Sequence, residues 1–150
     1  VMALAARARM KDIPVSIDPA STGFLATAGC ENFLGWAADA EIIFPNADEA
    51  ELLTGQTDPG RQIAALLENF RRVVLKRGNL GAIYAERGRG PCTVPAEAVA
   101  VVDTTGAGDA FLAGFLAAEL RGEAADSALS AAIAAGARAV TRLGAQPPAM

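Results

Sequence analysis

The sequence contains no histidine, two cysteines and few aromatic residues, which make up 5% of its 150 residues. Without histidine, catalytic triads that pair a serine or a cysteine with a histidine are excluded, as are metal sites with histidine ligands. Cys30 and Cys92 stand far apart in the chain, without the short spacing of a metal-binding pair. We interpret them as reduced thiols, which predicts a cytoplasmic protein.

Basic clusters and long apolar runs are also missing. The net charge is −4 and the 13 lysine and arginine residues are scattered, so the sequence predicts neither a nucleic-acid partner nor a membrane-surface partner. The longest apolar candidate, residues 111–118, is far shorter than the roughly 20 residues of a membrane-spanning helix. The opening residues lack the charged-then-apolar order of a signal peptide and resemble the end of a helix. We therefore expect the C-terminal part of a longer protein.

The sequence does contain an alternation of two kinds of segment. Short β-branched runs predict strands, and longer runs rich in alanine and leucine predict helices. The predicted strands are 14–18, 41–46, 72–78, 81–86 and 99–103. The predicted helices are 31–39, 47–54, 59–70, 107–121 and 123–143. This alternation predicts one α/β domain over residues 1–150, with a largely parallel central sheet flanked by helices and one antiparallel hairpin at 72–86.

A glycine-rich turn lies between the last predicted strand and the helix after it, in the stretch VVDTTGAGDAFLAGFLAAEL. Gly106 and Gly108 permit backbone conformations that other residues avoid. Their N–H groups, with that of Ala107, are expected to point out of the helix N-terminus, where the helix dipole favours an anion such as a phosphoryl group. Asp109 in the first turn has two interpretations: a helix-stabilising acid, or an acid that orients an attacking hydroxyl and accepts its proton.

The two commonest glycine-rich nucleotide motifs do not match this turn. No lysine followed by serine or threonine comes after the glycines, which excludes the Walker A loop, and the third glycine of the dinucleotide fingerprint is missing. The stretch DTTGAGDAFLAGFL instead resembles the C-terminal signature of the PfkB family of carbohydrate kinases, which have the ribokinase-like fold. That resemblance implies that Gly106, Ala107 and Gly108 form an anion hole and that Asp109 is the catalytic base.

The resemblance also implies an activity. A member of this family transfers the γ-phosphoryl group of Mg-ATP to a hydroxyl of a sugar or sugar-like acceptor, so ATP and Mg²⁺ are the implied cofactors. A nucleoside kinase of the same fold and a truncated, inactive nucleotide-binding remnant remain open as alternatives. The acceptor of either kinase is a small molecule, and a homodimer of a longer form is left open.

The segment PNADEAELLTG places Asn46 and Glu49 three residues apart at a predicted helix start. This spacing is typical of a capping box, in which each side chain accepts a backbone N–H of the other residue. The segment also resembles the family's N-x-x-E motif, which implies that Asn46 helps to bind the nucleotide and that Glu49 helps to organise Mg²⁺, often through water. The two roles are compatible because a capped helix end is a rigid platform.

The stretch LKRGNLG, residues 75–81, contains a predicted strand end and a turn. Lys76 has two interpretations: a surface charge at a strand end, or a ligand of the ATP phosphates, which the equivalent strand and turn of ribokinase-like proteins imply. Gly78 and Gly81 build the turn. The same resemblance assigns both glycines, with Gly108, to the nucleotide site, where glycine lets a nucleotide approach the backbone closely.

The chain end VTRLGAQPPAM resembles the GAQP stretch of ribokinases, near which carbonyl groups bind a monovalent cation, usually potassium. Pro148 stands where ribokinases often have a serine ligand, so the completeness of this site is left open. The residues that the resemblance implies for the cation are Asp103, Thr105, Ala139, Arg142 and Gly144.

The resemblance covers only about the C-terminal half of a family member. The N-terminal glycine-rich signature, most sugar-binding residues and the β-lid are missing, and the region after SIDPAS departs from the family's D-P-N-x-R pattern. We therefore expect a single partial domain that carries the ATP-binding half and the base. The residues that select the acceptor are expected to lie outside this chain.

Overall fold

The computed structural model describes residues 2–145, in which helices alternate with short strands. The strands are β1 (Ser16–Ile17), β2 (Ile42–Ile43), β3 (Arg72–Lys76), β4 (Ala82–Glu86) and β5 (Cys92–Val94), and they form one sheet in the order β1-β2-β3-β4-β5. The helices are α1 (Met2–Arg9), α2 (Thr22–Ala28), α3 (Cys30–Ala37), α4 (Ala47–Thr54), α5 (Pro59–Asn69), α6 (Ala107–Leu120) and α7 (Ala125–Val140). The predicted α/β class is confirmed. In this part of the chain, no helix has the length and apolar character needed to cross a membrane.

The chain divides into two compact units, of which the first consists of the described residues up to Lys76 together with Ala85–Pro91. In this unit β1, β2 and β3 run parallel, with Ser16 opposite Ile42 and Ile42 opposite Arg72. Strands of a parallel sheet are usually covered on both faces, and the central residues of β2 and β3 are accordingly buried. Because the three strands are parallel, their carboxyl ends lie at one edge of the unit.

Side chains fix both ends of α5 in the first unit. Asp58 caps its N-terminus through a hydrogen bond to a backbone N–H of the first turn. At the other end, the guanidinium group of Arg87 donates to the carbonyl oxygens of Leu67, Glu68 and Phe70 at 2.7, 3.3 and 3.2 Å. The last carbonyl groups of a helix have no partner within the helix. Arg87 therefore serves as the C-terminal cap of α5.

The second unit consists of residues 77–84 and the described chain from Cys92 onward. In it β4 pairs antiparallel with β5, with Ala82 opposite Val94. A short 3-10 turn, Gly78–Leu80, precedes β4. The sheet is therefore mixed, and its antiparallel pair lies at the β5 end of the strand order.

Helices α6 and α7 pack closely in the second unit. A Cβ added to Gly114 of α6 would lie 2.8 Å from the Cβ of Ala135 in α7, which is too close for two carbon atoms. Glycine at this position therefore permits the approach of the two helices. Phe115 of α6 and Leu129 of α7 are buried.

The predicted strand at residues 99–103 is wrong, because this segment forms no strand. Val101 and Val102 keep 64% and 60% of their surface exposed instead of packing into a core. The N–H groups of Val102 and Asp103 donate to the carbonyl oxygen of Val140, at the end of α7. β-Branched residues favour a strand only where a neighbouring strand and a core receive them. Here a helix end holds the segment instead.

Two elements were not predicted. Helix α2 has only seven residues, which include a glycine and two threonines, and these residues are weak helix formers. Strand β5 has three residues and follows a glycine-rich turn. The other predicted helices and strands are confirmed, with ends shifted by a few residues. The antiparallel hairpin at 72–86 stays a prediction.

Candidate functional site

Polar side chains lie at the carboxyl ends of the three parallel strands in the first unit. Asp18 follows β1, Asn46 follows β2, and Lys76 ends β3. Asn46 and Lys76 form an isolated parallel bridge, and the N–H of Lys76 donates to the carbonyl oxygen of Pro45 at 2.9 Å. Ligands of open α/β sheets bind beyond the carboxyl ends of the strands. We therefore take Asp18, Asn46, Glu49 and Lys76 as a candidate site and name them the strand-end cluster.

Asn46 and Glu49 form the predicted capping box at the start of α4. The N–H of Glu49 donates to Asn46 Oδ1, and the N–H of Asn46 donates to Glu49 Oε2, both at 2.8 Å. The structural interpretation of this pair is confirmed. Because Glu49 is only 2% exposed, its carboxylate is held in one place at the helix start. The role of the pair toward a nucleotide or Mg²⁺ stays a prediction.

The carboxylate of Glu49 is in an unfavourable environment for a charge. Burial raises the pKa of Glu49 above its ordinary value of 4.5, because the charged form loses its hydration. The hydrogen bond from Asn46 and the positive charge of Lys76 act in the opposite direction, while the negative charges of Asp18 and Asp48 raise the pKa further. A buried carboxylate of this kind is stabilised by any further cation that binds beside it.

Asp18 is the member of the strand-end cluster that the sequence reasoning missed. Lys76 Nζ donates to Asp18 Oδ2 at 2.6 Å, and the two side chains are only 15% and 22% exposed. Asp18 Oδ1 accepts the N–H of Ala20 at 2.9 Å, so both carboxylate oxygens are used. The sequence signal was an aspartate directly after a β-branched strand. Its partner lies 58 residues further along the chain, beyond the reach of local patterns.

The ion pair changes the interpretation of Lys76. Its ammonium group is already paired with a carboxylate within the protein. The expected contact between Lys76 and ATP phosphates therefore stays a prediction, and any such contact has to compete with Asp18 or be shared with it.

The two glycines of the LKRGNLG turn, both in the second unit, have different surroundings. Gly78 has a φ of +55°, and no described atom lies within 4 Å of the place a Cβ would occupy. Gly81 has a φ of +86°, and a Cβ there would collide with the carbonyl oxygen of Val94. The fold itself therefore requires glycine at position 81. At position 78 the backbone is open to the approach of a ligand.

The glycine-rich turn before α6 has part of the predicted geometry. Gly106 is the N-cap of α6, with a left-handed φ of +76°, and no described side chain caps this helix. The N–H of Ala107 donates to the Thr104 carbonyl at 3.1 Å, so the next first-turn donors are the N–H groups of Gly108 and Asp109. Gly108 lies within the helix, where no positive φ is needed, and the side chain of Asp109 is exposed.

Asp103 organises the loop before α6 in the second unit. Its Oδ1 accepts the N–H and the hydroxyl of Thr105 at 2.9 and 2.7 Å, and its Oδ2 accepts the N–H of Gly144 at 2.9 Å. These hydrogen bonds favour the charged form and lower the pKa of Asp103 from 3.8 to about 2, with those from Thr105 contributing most. The structure thus brings together Asp103, Thr105 and Gly144, three of the residues expected to bind a cation.

Of the remaining residues of the expected cation site, Ala139 lies in the last turn of α7 and Arg142 lies just after the helix. The carbonyl oxygen of Ala139 accepts the N–H of Thr141, and also that of Arg142 at 3.3 Å. Pro148 lies outside the described residues. The cation site as a whole stays a prediction.

The strand-end cluster can be tested as a metal site by the chemistry of its donors. Within residues 2–145, no group of three or more histidine, cysteine, aspartate or glutamate side chains is placed to hold a metal ion. Mg²⁺ in nucleotide sites is usually bound through one or two carboxylates, with phosphates and water completing the coordination. The carboxylate of Glu49 is a donor of this kind. The cluster therefore fits Mg²⁺ that arrives with a nucleotide, rather than Mg²⁺ held by protein ligands alone.

The fold and these features define a class of protein. A largely parallel α/β sheet with polar strand ends, together with a glycine turn that opens a helix, is the architecture of ribokinase-like proteins, and solved ribokinase-family structures superpose on this chain. The model of the pfkB family carbohydrate kinases matches residues 1–150. The chain belongs to this family.

Three similar proteins indicate how much of a family member is present. The Bifunctional protein HldE of Edwardsiella ictaluri is 34% identical over 151 residues, which cover 96% of this chain and 29% of that protein. A ribokinase-family structure from Escherichia coli in complex with ATP and Mg²⁺ is 33% identical, with a TM-score of 0.85 over 94% of this chain and 46% of that one. The aminoimidazole riboside kinase of Salmonella enterica, complexed with aminoimidazole riboside and an ATP analogue, is 31% identical, with a TM-score of 0.84 over 96% and 51%. The chain thus spans about half of these structures and less than a third of the HldE protein.

Proposed function

We propose that this chain is the ATP-binding and catalytic segment of a kinase that transfers the γ-phosphoryl group of Mg-ATP to a hydroxyl of a sugar or sugar-like acceptor. The observation that carries the proposal is the start of α6. There, a left-handed Gly106 opens a helix that no described side chain caps, and Asp109 lies in its first turn. The family match over the whole chain supports the same activity. A nucleoside is the alternative acceptor, in line with the riboside bound by the Salmonella enterica kinase.

In the proposed reaction, the acceptor oxygen attacks the γ-phosphorus, the bond from that phosphorus to the β–γ bridging oxygen breaks, and ADP leaves. The anion hole of the Gly106–Ala107–Gly108 turn stabilises the negative charge on the transferring group, through backbone N–H groups other than that of Ala107, which is donated to the Thr104 carbonyl. Asp109 orients the acceptor hydroxyl and accepts its proton as the transfer proceeds. The catalytic effect comes mainly from positioning and from charge stabilisation.

The cofactor assignments belong to the same proposal. When bound, Mg²⁺ neutralises charge on the β- and γ-phosphates. We assign Glu49 to this ion, with water between them, and Asn46 to the nucleotide. Lys76, Gly78, Gly81 and Gly108 are assigned to the nucleotide as well. The proposed potassium ligands are Asp103, Thr105, Ala139, Arg142 and Gly144.

The proposal also includes a location and an oligomeric state. Cys30 and Cys92 are both free thiols, which favours a cytoplasmic protein. A homodimer of a longer form remains part of the proposal for the whole protein.

The first experiment measures ATP consumption with a panel of sugars and nucleosides, using this 150-residue chain and any longer gene product that contains it. Consumption that depends on one of these acceptors supports the kinase and identifies the acceptor class. ATP binding without any acceptor-dependent consumption favours the inactive remnant instead.

The second experiment replaces Asp109 by asparagine in the active form. We expect kcat to fall by roughly 10²- to 10⁴-fold, because the base is lost, while ATP affinity changes little. Asp126→Asn is the matched control, because Asp126 occupies the first turn of α7 as Asp109 occupies that of α6. Near-normal turnover of Asp109→Asn, or an equal loss in Asp126→Asn, would show that the assignment of the base is wrong.

A further inference from the structure

The ion pair between Asp18 and Lys76 is placed at the strand ends, where a ligand is expected. Asp18 directly follows β1 and Lys76 is the last residue of β3, so the pair bridges two strands that are not neighbours in the sheet. The Nζ to Oδ2 distance is 2.6 Å, and most of each side chain is buried. A pair at this distance and burial is better fixed than a pair on the open surface.

The backbone next to Asp18 is held in an uncommon conformation. Ala20 has a φ of +72°, in the left-handed region that residues other than glycine rarely adopt. The hydrogen bond from Ala20 N–H to Asp18 Oδ1 holds this turn. Strained conformations of this kind persist where surrounding contacts impose them, and they are concentrated at functional sites. The turn after β1 therefore fixes the position of the Asp18 carboxylate.

The charges of the strand-end cluster are unbalanced. It contains the carboxylates of Asp18 and Glu49 and a single ammonium group, that of Lys76, which Asp18 already engages. A metal-free triphosphate is strongly negative, so the carboxylates of this cluster repel it, and the one ammonium group of the cluster is already engaged by Asp18. A triphosphate that carries Mg²⁺ brings the missing positive charge with it.

We propose that Asp18 is a specificity-determining residue, which engages Lys76 so that this cluster takes a nucleotide as its magnesium complex rather than as free triphosphate. The inference rests on the proposed function, because it assumes that the cluster binds a nucleoside triphosphate. Its content is different, since the resemblance stated above assigns no role to Asp18, the aspartate of the SIDPAS stretch. Asp18 acts through Lys76 and does not touch the reacting atoms.

A purely structural role of the pair predicts a different outcome. If Asp18 only joined β1 to β3, then its loss would lower the stability of the fold and would weaken both forms of the nucleotide equally. If Asp18 acts by engaging the ammonium group of Lys76, then its loss frees that group, which strengthens the binding of metal-free ATP more than that of Mg-ATP.

The test measures the affinity of the chain for ATP by calorimetry, once with excess Mg²⁺ and once with EDTA. For the unsubstituted chain we expect tighter binding with Mg²⁺. For Asp18→Asn we expect the ratio of the two affinities to shrink by about tenfold, mainly through tighter binding of metal-free ATP. In the Lys76→Met background, Asp18→Asn is expected to lose most of this effect, because the freed ammonium group is absent.

Two further variants serve as controls. Asp39→Asn removes another aspartate of the first unit that pairs with a basic residue, Arg9, at 2.6 Å, and it lies before β2 rather than at a strand end. It is expected to leave the ratio unchanged. Asp18→Glu retains the charge and is expected to restore most of the preference for Mg-ATP. Circular dichroism of every variant verifies that it is folded.

The outcomes separate this inference from the proposed function. If the unsubstituted chain binds ATP in neither condition, the proposed nucleotide site is wrong and the inference falls with it. If the chain prefers Mg-ATP and a folded Asp18→Asn variant keeps the same ratio, only the inference is wrong. If Asp18→Asn does not fold, the ratio of the two ATP affinities is measured for Lys76→Met instead. A stronger preference of that variant for Mg-ATP supports the inference, and an unchanged preference contradicts it.

Discussion

The carboxylate of Asp103 accepts the backbone N–H of Gly144 at 2.9 Å, so that one side chain joins the loop before α6 to the turn after α7. The same carboxylate accepts the N–H and the hydroxyl of Thr105. The start of α6, where the proposed base and anion hole lie, is therefore attached to the far end of α7 through a charged group.

This contact makes the free energy of unfolding depend on pH in the acidic range. Because the pKa of Asp103 falls from 3.8 to about 2 on folding, its contribution is fully present above pH 3.8 and is lost as the pH falls through about 2. Asp103→Ala is expected to lower the unfolding temperature at pH 6, with a much smaller difference from the unsubstituted chain near pH 2. Glu97→Gln, which removes an exposed loop carboxylate, is the control and should show no such convergence.

The capping box of α4 predicts different effects on stability for substitutions of its two residues. Asn46→Ala removes the acceptor for the N–H of Glu49 and is expected to cost about 1 kcal/mol in the free energy of unfolding. Glu49→Gln retains an oxygen acceptor for the N–H of Asn46 and avoids the burial of a charge. We expect it to keep the stability while lowering the affinity for Mg-ATP.

The pH dependence of this pair provides a second measurement. Since the pKa of Glu49 is raised above 4.5 in the folded state, its contribution is fully present below pH 4.5 and declines as the pH rises through the folded-state pKa. Urea unfolding at pH 4 and pH 7 is therefore expected to favour Glu49→Gln more strongly at pH 7. A Glu49→Gln variant that is less favoured at pH 7 than at pH 4 would contradict the direction of this pKa shift.

The two glycines of the LKRGNLG turn should differ in their tolerance of alanine. At Gly78 the only obstacle is the positive φ, so Gly78→Ala is expected to cost about 1 kcal/mol. At Gly81 the added methyl group would also collide with the carbonyl oxygen of Val94, and we expect a further cost of about 2 kcal/mol or more. Thermal unfolding of the two variants measures the difference, and equal losses would show that the close approach at Gly81 is relieved at little cost.

Arg87 provides a test of side-chain capping at the end of α5. Its guanidinium group donates to three carbonyl oxygens of the last helical turn and its flank. Arg87→Met retains much of the apolar stem and leaves these acceptors without their donor, at an expected cost of about 1 to 3 kcal/mol. Arg89→Met is the matched control, since the side chain of Arg89 is 77% exposed and Glu86, its partner, also pairs with Arg71; we expect its loss to cost only roughly 0 to 1 kcal/mol. A chemical denaturation series compares the two.

Local sequence signals predicted a helix correctly where capping residues stand at both of its ends. Helix α4 was predicted with both of its observed ends, because Asn46 and Glu49 form a capping box at its start and a left-handed Gly55 follows its last residue. The start of α6 was predicted for the same reason, from the glycine turn that opens it.

Local sequence signals failed where a contact with a residue far away in the sequence determines the structure. Residues 99–103 have the composition of a strand, yet the carbonyl oxygen of Val140 holds their backbone. The pair of Asp18 and Lys76 joins residues that are 58 positions apart, and no local pattern links an aspartate after one strand to a lysine at the end of another. The capping box of the candidate site was thus predicted from the sequence, and the ion pair between Asp18 and Lys76 was not.

The close packing of α6 against α7 has a mechanical consequence. A Cβ on Gly114 would meet the carbonyl oxygen of Ala131 at 2.9 Å, and one on Gly136 would lie 3.5 Å from that of Ala107 in the first turn of α6. Backbones that approach so closely leave no room for one helix to slide along the other. If a closing motion carries Asp109 toward an acceptor, we expect α6 and α7 to move together as one rigid body. The hinge of that motion then lies outside residues 107–140.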